Sequence, residues 1–380
     1  MGKIKNFIKA EMVLCIAVLL AVVSMFFVRP DAEYLGYIDF RTLAILFCLM
    51  SIMAGLQKLG LFRFVAEELL KKVKTDGQLI LILIMLCFFF SMFITNDVAL
   101  ITFVPFTFTV LKLLGRERAE KLVVPVVVMQ TIAANLGSML TPIGNPQNLY
   151  LYGKAGFSLG AFLKLMLPYT LLAFGLLFGW CILQEFKEKD AKPEVTFAER
   201  TSLKGKGLKL TVYGALFVLS LLCVAHKIPY GVTLIVVAIV VFFMDRPVLK
   251  QVDYSLLLTF VGFFVFIGNM GRISAFREFL QGIIAGNETL VAILSSQVIS
   301  NVPAALLLSG FTQDYQALIV GTNLGGLGTL IASMASLISY KYLAKEESDK
   351  KGKYFLYFTV ANLVFLAAML ILAKGMGQIG

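Results

Sequence analysis

One carboxylate stands inside a long apolar stretch of this sequence. Asp97 follows Thr95 and Asn96, between apolar segments at 78–93 and 98–114. A carboxylate at membrane depth costs about 2.5–3.5 kcal/mol on insertion scales, whereas glycine or asparagine would make a turn at lower cost. We therefore predict that Asp97 carries a proton or Na⁺, or contacts a substrate. The alternative is that its carboxylate only caps the helix that follows.

Polar residues interrupt apolar segments at three further places. Residues 95–97 form a first tip, and residues 300–302, followed by a proline, form a second tip. Polar and helix-breaking residues also interrupt two apolar helices, at 135–148 (the first break) and 323–336 (the second break). The candidate binding residues in these four places are Thr95, Asn96, Asp97, Asn135, Gly137, Thr141, Gly144, Asn145, Pro146, Asn148, Ser300, Asn301, Val302, Pro303, Asn323, Gly325, Gly328, Thr329 and Ser333.

Tips and breaks share one property, because both expose backbone N–H and C=O groups at membrane depth. These groups must be satisfied by protein, water or a ligand. The N–H groups at the start of a half-helix suit an anion, and freed carbonyls beside Asn, Ser and Thr oxygens suit a small cation. We therefore predict an anion bound with a coupling cation. Two structural alternatives stay open: Asn96 and Asn301 as hairpin caps, and Gly137, Gly144, Gly325, Gly326 and Gly328 as helix-packing glycines.

The composition places these residues in a membrane protein. The chain has 380 residues, of which 59% are hydrophobic and 15% are charged, against about 25% charged residues in soluble domains. Apolar runs long enough to cross a bilayer recur along it. We predict an all-α polytopic membrane protein embedded in the lipid bilayer. This class excludes a soluble enzyme, a secreted disulfide scaffold and a disordered chain.

Charge and motif content narrow the function further. The net charge of +11 sits mainly at the ends of apolar segments, which indicates cytoplasmic loops rather than a nucleic-acid partner. The sequence has no P-loop for ATP and no TVGYG-like channel filter, and no nucleophile–base set points to an enzyme. The dispersed cysteines and the single His226 indicate neither a redox pair nor a metal centre, so we expect no cofactor beyond a coupling ion.

Apolar runs predict the elements that position the tips and breaks. Re-entrant hairpins, with arms of about 16 residues in the first, are predicted around both tips. Interfacial helices are predicted at 61–74 and 273–285, the first with Glu67–Lys71 and Glu68–Lys72 pairs at i,i+4 spacing. Broken helices are predicted at 122–152 and 317–343, and spanning helices at 12–28, 40–59, 161–183, 210–225, 231–244, 254–270 and 354–373.

The two halves of the sequence follow the same order of elements. Residues 134–152 align without gaps with residues 322–340, and the paired residues include Asn135 with Asn323, Gly137 with Gly325 and Thr141 with Thr329. We predict two inverted-topology repeats, at 1–183 and 231–380, joined at 184–230 by a charged linker and a connecting helix. A cytoplasmic N-terminus puts the more basic loops inside. Inverted repeats with paired broken helices indicate a secondary transporter.

These motifs resemble the ion transporter superfamily, in particular its divalent anion/sodium symporter, citrate–metal transporter and arsenite-efflux permease families. Members carry a Ser/Thr-Asn tip and a Gly-rich broken helix in each half, as this sequence does. The resemblance implies a homodimer in which scaffold and transport domains, interleaved in sequence, work as an elevator. It also implies substrate between the tips and two Na⁺ sites, at Thr95, Asn96, Asp97 and Gly137, and at Ser300, Asn301 and Gly325.

Two departures from the family pattern bear on the substrate and on the second cation. Val302 stands where the dicarboxylate branch has Thr, and residues 333–336 replace its Pro-Pro-Asn element. We predict a secondary transporter of a small anion or oxyanion, of the di- or tricarboxylate or arsenite class, coupled to Na⁺ or H⁺ in a bacterial-type inner membrane. The alternatives are a sodium/proton antiporter in which Asp97 is the exchange site and, less favoured, an ion channel.

Overall fold

Helices account for all regular secondary structure in residues 11–187 and 201–379, which the computed structural model describes. The first half contains α1 (Met12–Met25), α2 (Glu33–Tyr37), α3 (Phe40–Leu59), α4 (Leu61–Leu70), α5 (Asp76–Ile94), α6 (Asn96–Leu113), α7 (Arg116–Ser138), α8 (Pro146–Ala155) and α9 (Leu159–Lys187). The second half contains α10 (Gly207–Val224), α11 (Tyr230–Asp245), α12 (Tyr254–Arg272), α13 (Ser274–Ile284), α14 (Glu288–Ile299), α15 (Asn301–Leu308), α16 (Tyr315–Leu324), α17 (Met334–Glu346) and α18 (Lys351–Gly375). Short 3₁₀ helices, Arg246–Gln251 and Ser348–Lys350, precede α12 and α18.

Nine helices of this described part are long and apolar enough to cross a membrane. They are α3, α5, α6, α7, α9, α10, α11, α12 and α18. A helix satisfies its own backbone groups, which is the condition for crossing hydrocarbon. The chain is therefore an all-helical, multi-pass membrane protein, and the prediction from composition is confirmed.

The first hairpin has longer arms than predicted. Helix α5 has 19 residues and α6 has 18, so each arm is about 27–28 Å long, close to a full span. The expectation of two short arms was wrong because only Thr95 lies outside both helices, while Asn96 and Asp97 begin α6. The arms of the second hairpin are shorter, with 12 residues in α14 and 8 in α15.

Both broken helices form where they are predicted. Helix α7 ends at Ser138 and α8 begins at Pro146, whereas α16 ends at Leu324 and α17 begins at Met334. Helix α7 lies at the centre of the packing, in contact with α5, α6, α9, α17 and α18. A second group of helices packs beside it: α3 contacts α10 and α11, and α12 contacts α1 and α15. Helix α8, which follows the first break, contacts α3, and α15 of the second hairpin contacts α12.

The ion pairs on α4 differ from those expected from sequence spacing. Glu67 is buried, and its carboxylate accepts hydrogen bonds from Arg63 Nε (2.8 Å) and from the backbone N–H of Thr201 (2.8 Å). Glu68 pairs with Lys71. The predicted pairs were wrong because Arg63 and Thr201 occupy the Glu67 carboxylate, and Lys71 pairs with Glu68 instead.

Two predicted features lie wholly or partly outside the described residues. The lysine-rich segment 1–10, which is the basis of the predicted cytoplasmic N-terminus, is one of them. The charged linker predicted at 184–209 is the other: α9 continues to Lys187, residues 188–200 lie outside the described part, and α10 begins at Gly207.

Candidate functional site

Both tips reverse the chain at one residue with the same unusual backbone. Thr95 has φ 71° and ψ 152°, and Ser300 has φ 72° and ψ 155°. A positive φ is uncommon for residues other than glycine, and such a conformation costs on the order of 1–3 kcal/mol. It persists only where surrounding contacts determine it. The two tips therefore need specific anchors.

Each tip is anchored to the break in its own half. The backbone N–H of Asn96 donates to the Gly144 carbonyl at 3.1 Å, and that of Asn301 donates to the Ala332 carbonyl at 3.0 Å. Each acceptor carbonyl belongs to the residue just before the N-cap of the next half-helix. That N-cap is Asn145 for α8 in the first break and Ser333 for α17 in the second break. A freed carbonyl of each break thus satisfies a helix-start N–H of its tip.

A second contact also recurs around the two tips. The Thr141 hydroxyl donates to the Met92 carbonyl on α5, and the Thr329 hydroxyl donates to the Gln297 carbonyl on α14 at 3.1 Å. Thr141 and Thr329 are aligned in the sequence, and each bonds three residues before the turn residue of its tip. Aligned residues therefore make matching contacts in the two halves.

Two aligned glycines allow each break to approach the preceding arm. A Cβ at Gly137 would lie 2.1 Å from the Phe88 carbonyl oxygen, and a Cβ at Gly325 would lie 2.6 Å from Ser296 Oγ. Any larger residue would push the break away from its hairpin. The helix-packing role considered for these glycines therefore has a direct steric basis.

Buried amides connect the two breaks to each other. Asn323 accepts a hydrogen bond from Asn145 (3.1 Å) and donates one to Asn148 (2.6 Å). Asn135 Oδ1 accepts from Asn96 Nδ2 (3.1 Å) and from Ser333 Oγ (3.0 Å). All these side chains are buried. The structure thus brings these candidate residues together, and their amides largely satisfy one another.

A first cavity separates the first tip from α3 and the start of α12. Its volume is about 270 Å³, and its polar lining residues are Gln57, Thr95, Asp97, Asn145, Gln251 and Asp253. Among the described residues, no lysine or arginine lines it. Two carboxylates therefore face the first tip's cavity without a basic partner in its lining. Oxygen ligands of this kind suit a hard cation or a proton rather than a free anion.

A second cavity, of about 260 Å³, separates the second tip from α1, α12 and α17. Its lining includes Ser300, Val302 and Pro303 from the tip, together with Lys341. Asp253 lines both cavities, at the start of α12. The other predicted residues line neither cavity: they are Asn96 and Asn301 in the tips, Asn135, Gly137, Thr141, Gly144 and Asn148 in the first break, and Asn323, Gly325, Gly328, Thr329 and Ser333 in the second break.

The Asp97 carboxylate does not cap the helix that begins at the first tip. The hydroxyl of Thr95, not the carboxylate of Asp97, accepts from the N–H of Val98 (3.4 Å) and caps α6. The capping alternative for Asp97 is therefore wrong. Its Oδ1 is buried and has no hydrogen-bond partner within the described part of the chain. An unpaired buried acceptor is costly, and the described protein groups supply no partner for this oxygen.

Sequence reasoning missed Asp253. It lies between the predicted spanning helices 231–244 and 254–270, and its carboxylate caps α12 by accepting from the N–H of Leu256 at 2.9 Å. The Asp-x-x-apolar cap pattern before a spanning helix was visible in the sequence. Its place opposite the first tip was not, because that contact joins segments far apart in the chain.

Comparison with known proteins places the chain among transporters. A family model described as citrate transporter matches residues 4–316. The chain is 33% identical over 346 residues to an uncharacterized transporter of Methanocaldococcus jannaschii, covering 90% of this chain and 91% of that protein. It is 32% identical over 310 residues to the inner membrane protein YbiR of Escherichia coli, covering 80% of each chain.

A more distant relative carries a more specific description. The chain is 23% identical over 363 residues to a putative arsenical pump membrane protein of Bacillus subtilis, covering 80% of each chain. Together with the nine apolar helices of the described part, these matches identify a multi-pass membrane transporter and agree with the resemblance read from the tips and breaks.

Proposed function

We propose that this chain, which belongs to the citrate transporter family, is a secondary active transporter that carries a small anion or oxyanion together with Na⁺ or H⁺. The candidate substrates are di- and tricarboxylates, citrate among them, and arsenite. The family description favours citrate, and the Bacillus subtilis relative described as a putative arsenical pump favours arsenite. We place the protein in the cytoplasmic membrane, since the Escherichia coli relative is an inner membrane protein. We place its N-terminus inside, because this puts the more basic loops on the cytoplasmic side.

The unpaired carboxylate of Asp97 in the first cavity carries this proposal. A free anion that approached Asp97 and Asp253 would be repelled, because the cavity lining has no basic side chain among the described residues. A bound cation or proton removes that repulsion. The anion therefore enters together with a cation, which makes transport depend on an ion gradient.

Two Na⁺ sites were expected from the family resemblance, and the first has the stronger support. Thr95, Asn96, Asp97 and Gly137 supply hydroxyl, amide, carboxylate and carbonyl oxygens around the first tip. At the second tip, Ser300, Asn301 and Gly325 supply no charged group, and the adjacent Val302 is apolar. A carboxylate raises cation affinity far more than neutral oxygens alone, so the first tip is the preferred coupling site.

Matching contacts in the two halves support the rest of the mechanism. The paired hydrogen bonds and glycine contacts are those expected of two inverted repeats. In the elevator that we propose, the hairpins and broken helices move as a transport domain against a scaffold of α3 and α10–α12. The two cavities lie along that boundary. A homodimer, which the family resemblance implies, would hold the scaffold fixed.

A sodium/proton antiporter is the second candidate, and one observation favours it. An acidic cavity lined by Asp97 and Asp253, without lysine or arginine among the described lining residues, serves cation exchange without any organic anion. In that case the tips would move only H⁺ and Na⁺.

Uptake into proteoliposomes tests the proposal. Purified protein is reconstituted, Na⁺ and pH gradients are imposed separately, and uptake of citrate, succinate and arsenite is measured beside protein-free vesicles. We expect saturable uptake of at least one substrate that is driven by one of the gradients. Na⁺-driven H⁺ movement with no substrate uptake would establish the antiporter instead. Unsaturated, uncoupled ion flux would establish a channel.

A further inference from the structure

A glutamine side chain fills the second break. Gln297 lies on α14, three residues before the turn at Ser300. Its Nε2 donates to the carbonyls of Gly325 and Leu327, both at 2.9 Å, and its Oε1 accepts from the N–H of Thr329 at 2.9 Å. The Ile293 carbonyl of the same helix is a third, longer acceptor of Nε2, at 3.2 Å. One neutral side chain thus satisfies three backbone groups that the break leaves without helical partners.

The backbone of the second break is shaped around this amide. Gly328 has φ 110°, and a Cβ there would lie 2.3 Å from Gln297 Oε1. Only glycine both adopts this backbone and leaves room for the amide. The amide is therefore a built part of the break rather than a side chain that happens to lie nearby.

Among the described residues, no side chain bonds the aligned carbonyls of the first break; the nearest counterpart is Asn148, whose Nδ2 donates to the Thr141 carbonyl at 3.4 Å. Met92 holds the place of Gln297, because each supplies the carbonyl that accepts the aligned threonine hydroxyl. A methionine side chain has no N–H to donate. The carbonyls of Gly137 and Met139, which align with those of Gly325 and Leu327, receive no side-chain hydrogen bond among the described residues; Leu140 N–H reaches Gly137 at 3.2 Å.

We propose that the Gln297 amide takes the place of a second coupling cation, leaving the first tip and break as the one cation site. An amide N–H₂ and a small cation both direct positive charge at converging carbonyl oxygens. The amide differs in being covalently tethered, so it never dissociates and contributes nothing to coupling. This inference rests on the proposed function, because it concerns the number of coupling ions.

Replacing Gln297 by glutamate removes the N–H donor of the second break and makes a bound cation necessary there. A carboxylate facing the Gly325 and Leu327 carbonyls has no hydrogen to donate at pH 8, and the oxygens repel one another unless a cation lies between them. The purified full-length protein is melted at pH 8 in equal concentrations of KCl, NaCl and LiCl. We expect Gln297→Glu to melt below the wild type in KCl. Exchanging KCl for NaCl or LiCl should raise the melting temperature of Gln297→Glu by at least about 2 °C more than it raises that of the wild type.

Gln130→Glu is the matched control. Gln130 is buried, whereas Gln297 is half-buried, and the Gln130 Nε2 donates to the Leu83 carbonyl (2.9 Å) and the Thr107 hydroxyl (2.8 Å), away from both tips. Its glutamate variant should be destabilised equally in all three salts. An equal gain from Na⁺ in both glutamate variants would overturn the proposal, since any buried carboxylate would then suffice.

Gln297→Met provides a second variant if the glutamate protein does not fold. It gives the second break the residue found in the first, and it should likewise gain stabilisation by Na⁺ or Li⁺ over the wild type. If neither variant gains it, Gln297 is only a structural brace and the proposal is wrong. The melting comparison needs no substrate, so a wild type that transports none of the tested substrates would count against the proposed function alone.

Discussion

At the first tip Asp97 follows the turn residue by two positions, and at the second tip Val302 stands in the same place. The backbones of the two turns agree within 3° in φ and ψ, and each tip bonds the carbonyl before the next half-helix. The shared contacts are those that hold a strained turn at membrane depth. In our proposal, the residues that differ, Asp97 and Gln297, determine what each tip binds. Geometry is common to both halves, whereas charge belongs to one.

Gly137→Ala should have the largest effect and break the shared geometry. The new Cβ would meet the backbone oxygen of Phe88 at 2.1 Å, whereas at Gly325 it would meet the side chain of Ser296. We expect Gly137→Ala to cost more than about 3 kcal/mol, or to yield no folded protein, and Gly325→Ala to cost about 1–3 kcal/mol. Melting temperatures in detergent measure both. Gly175→Ala is the control, because a Cβ placed at Gly175 would have no neighbour within 4 Å in the described part of the chain. An equal loss of stability there would contradict the steric account.

Asn96→Ala and Asn301→Ala compare how much the asparagine of each tip stabilises the fold. Asn96 donates to Asn135 at 3.1 Å, while the Asn301 amide oxygen only accepts from Ser300 at 3.5 Å. Loss of the first bond leaves a buried partner less satisfied, so Asn96→Ala should cost about 1–3 kcal/mol and Asn301→Ala less than about 1 kcal/mol. Thermal melting ranks them. The reverse order would show that the second tip, not the first, is braced by its asparagine.

Asp253→Asn should weaken ion binding without abolishing it. Asp253 shares the first cavity with Asp97 but lies at the start of α12 and caps that helix, a role that asparagine also fills. We expect the ion concentration for half-maximal transport to rise about three- to tenfold, or roughly 0.7–1.4 kcal/mol. Initial rates against Na⁺ concentration and pH test this. An unchanged ion dependence would remove Asp253 from the site.

Glu346→Gln should have the smallest effect. Glu346 on α17 pairs with Lys112 at the end of α6 (2.9 Å), so the pair joins the two halves at an exposed place. Lys112 lowers the pKa of Glu346, so the pair stabilises the fold above the ordinary glutamate pKa and that contribution is lost as pH falls through the lowered value. We expect a loss below about 1 kcal/mol at pH 7 and less in acid. Melting curves of the variant and the wild type, from pH 7 into acid, test whether the difference in stability shrinks as pH falls.

Much of this architecture follows from local patterns. The bounds of α3 and the start of α12 agree with the apolar runs, and the breaks fall where Gly, Pro and Asn interrupt them. The length of the first hairpin's arms was not predicted correctly. The polar residues 95–97 suggested a turn of three residues, whereas the single strained residue Thr95 makes the turn.

The candidate site was less predictable than the fold. Asp97 stood out as a charge in an apolar stretch. Asp253 and Gln297 did not, because one resembles a loop residue and the other an ordinary polar residue on a helix. Their roles arise from contacts between segments distant in sequence, such as the amide bonds between Asn145 and Asn323. No local pattern specifies such contacts.

The most direct test of the account is ion-coupled uptake by Asp97→Asn in proteoliposomes, for whichever substrate and ion drive the wild type. Asp314→Asn is the control, since Asp314 also begins a helix, capping Ala317 N–H at 2.9 Å, but lines neither tip cavity. We expect the control to resemble the wild type and Asp97→Asn to lose gradient-driven uptake by at least about tenfold, or about 1.4 kcal/mol. Undiminished, gradient-driven uptake by Asp97→Asn would contradict the central claim that the first tip carries the coupling ion.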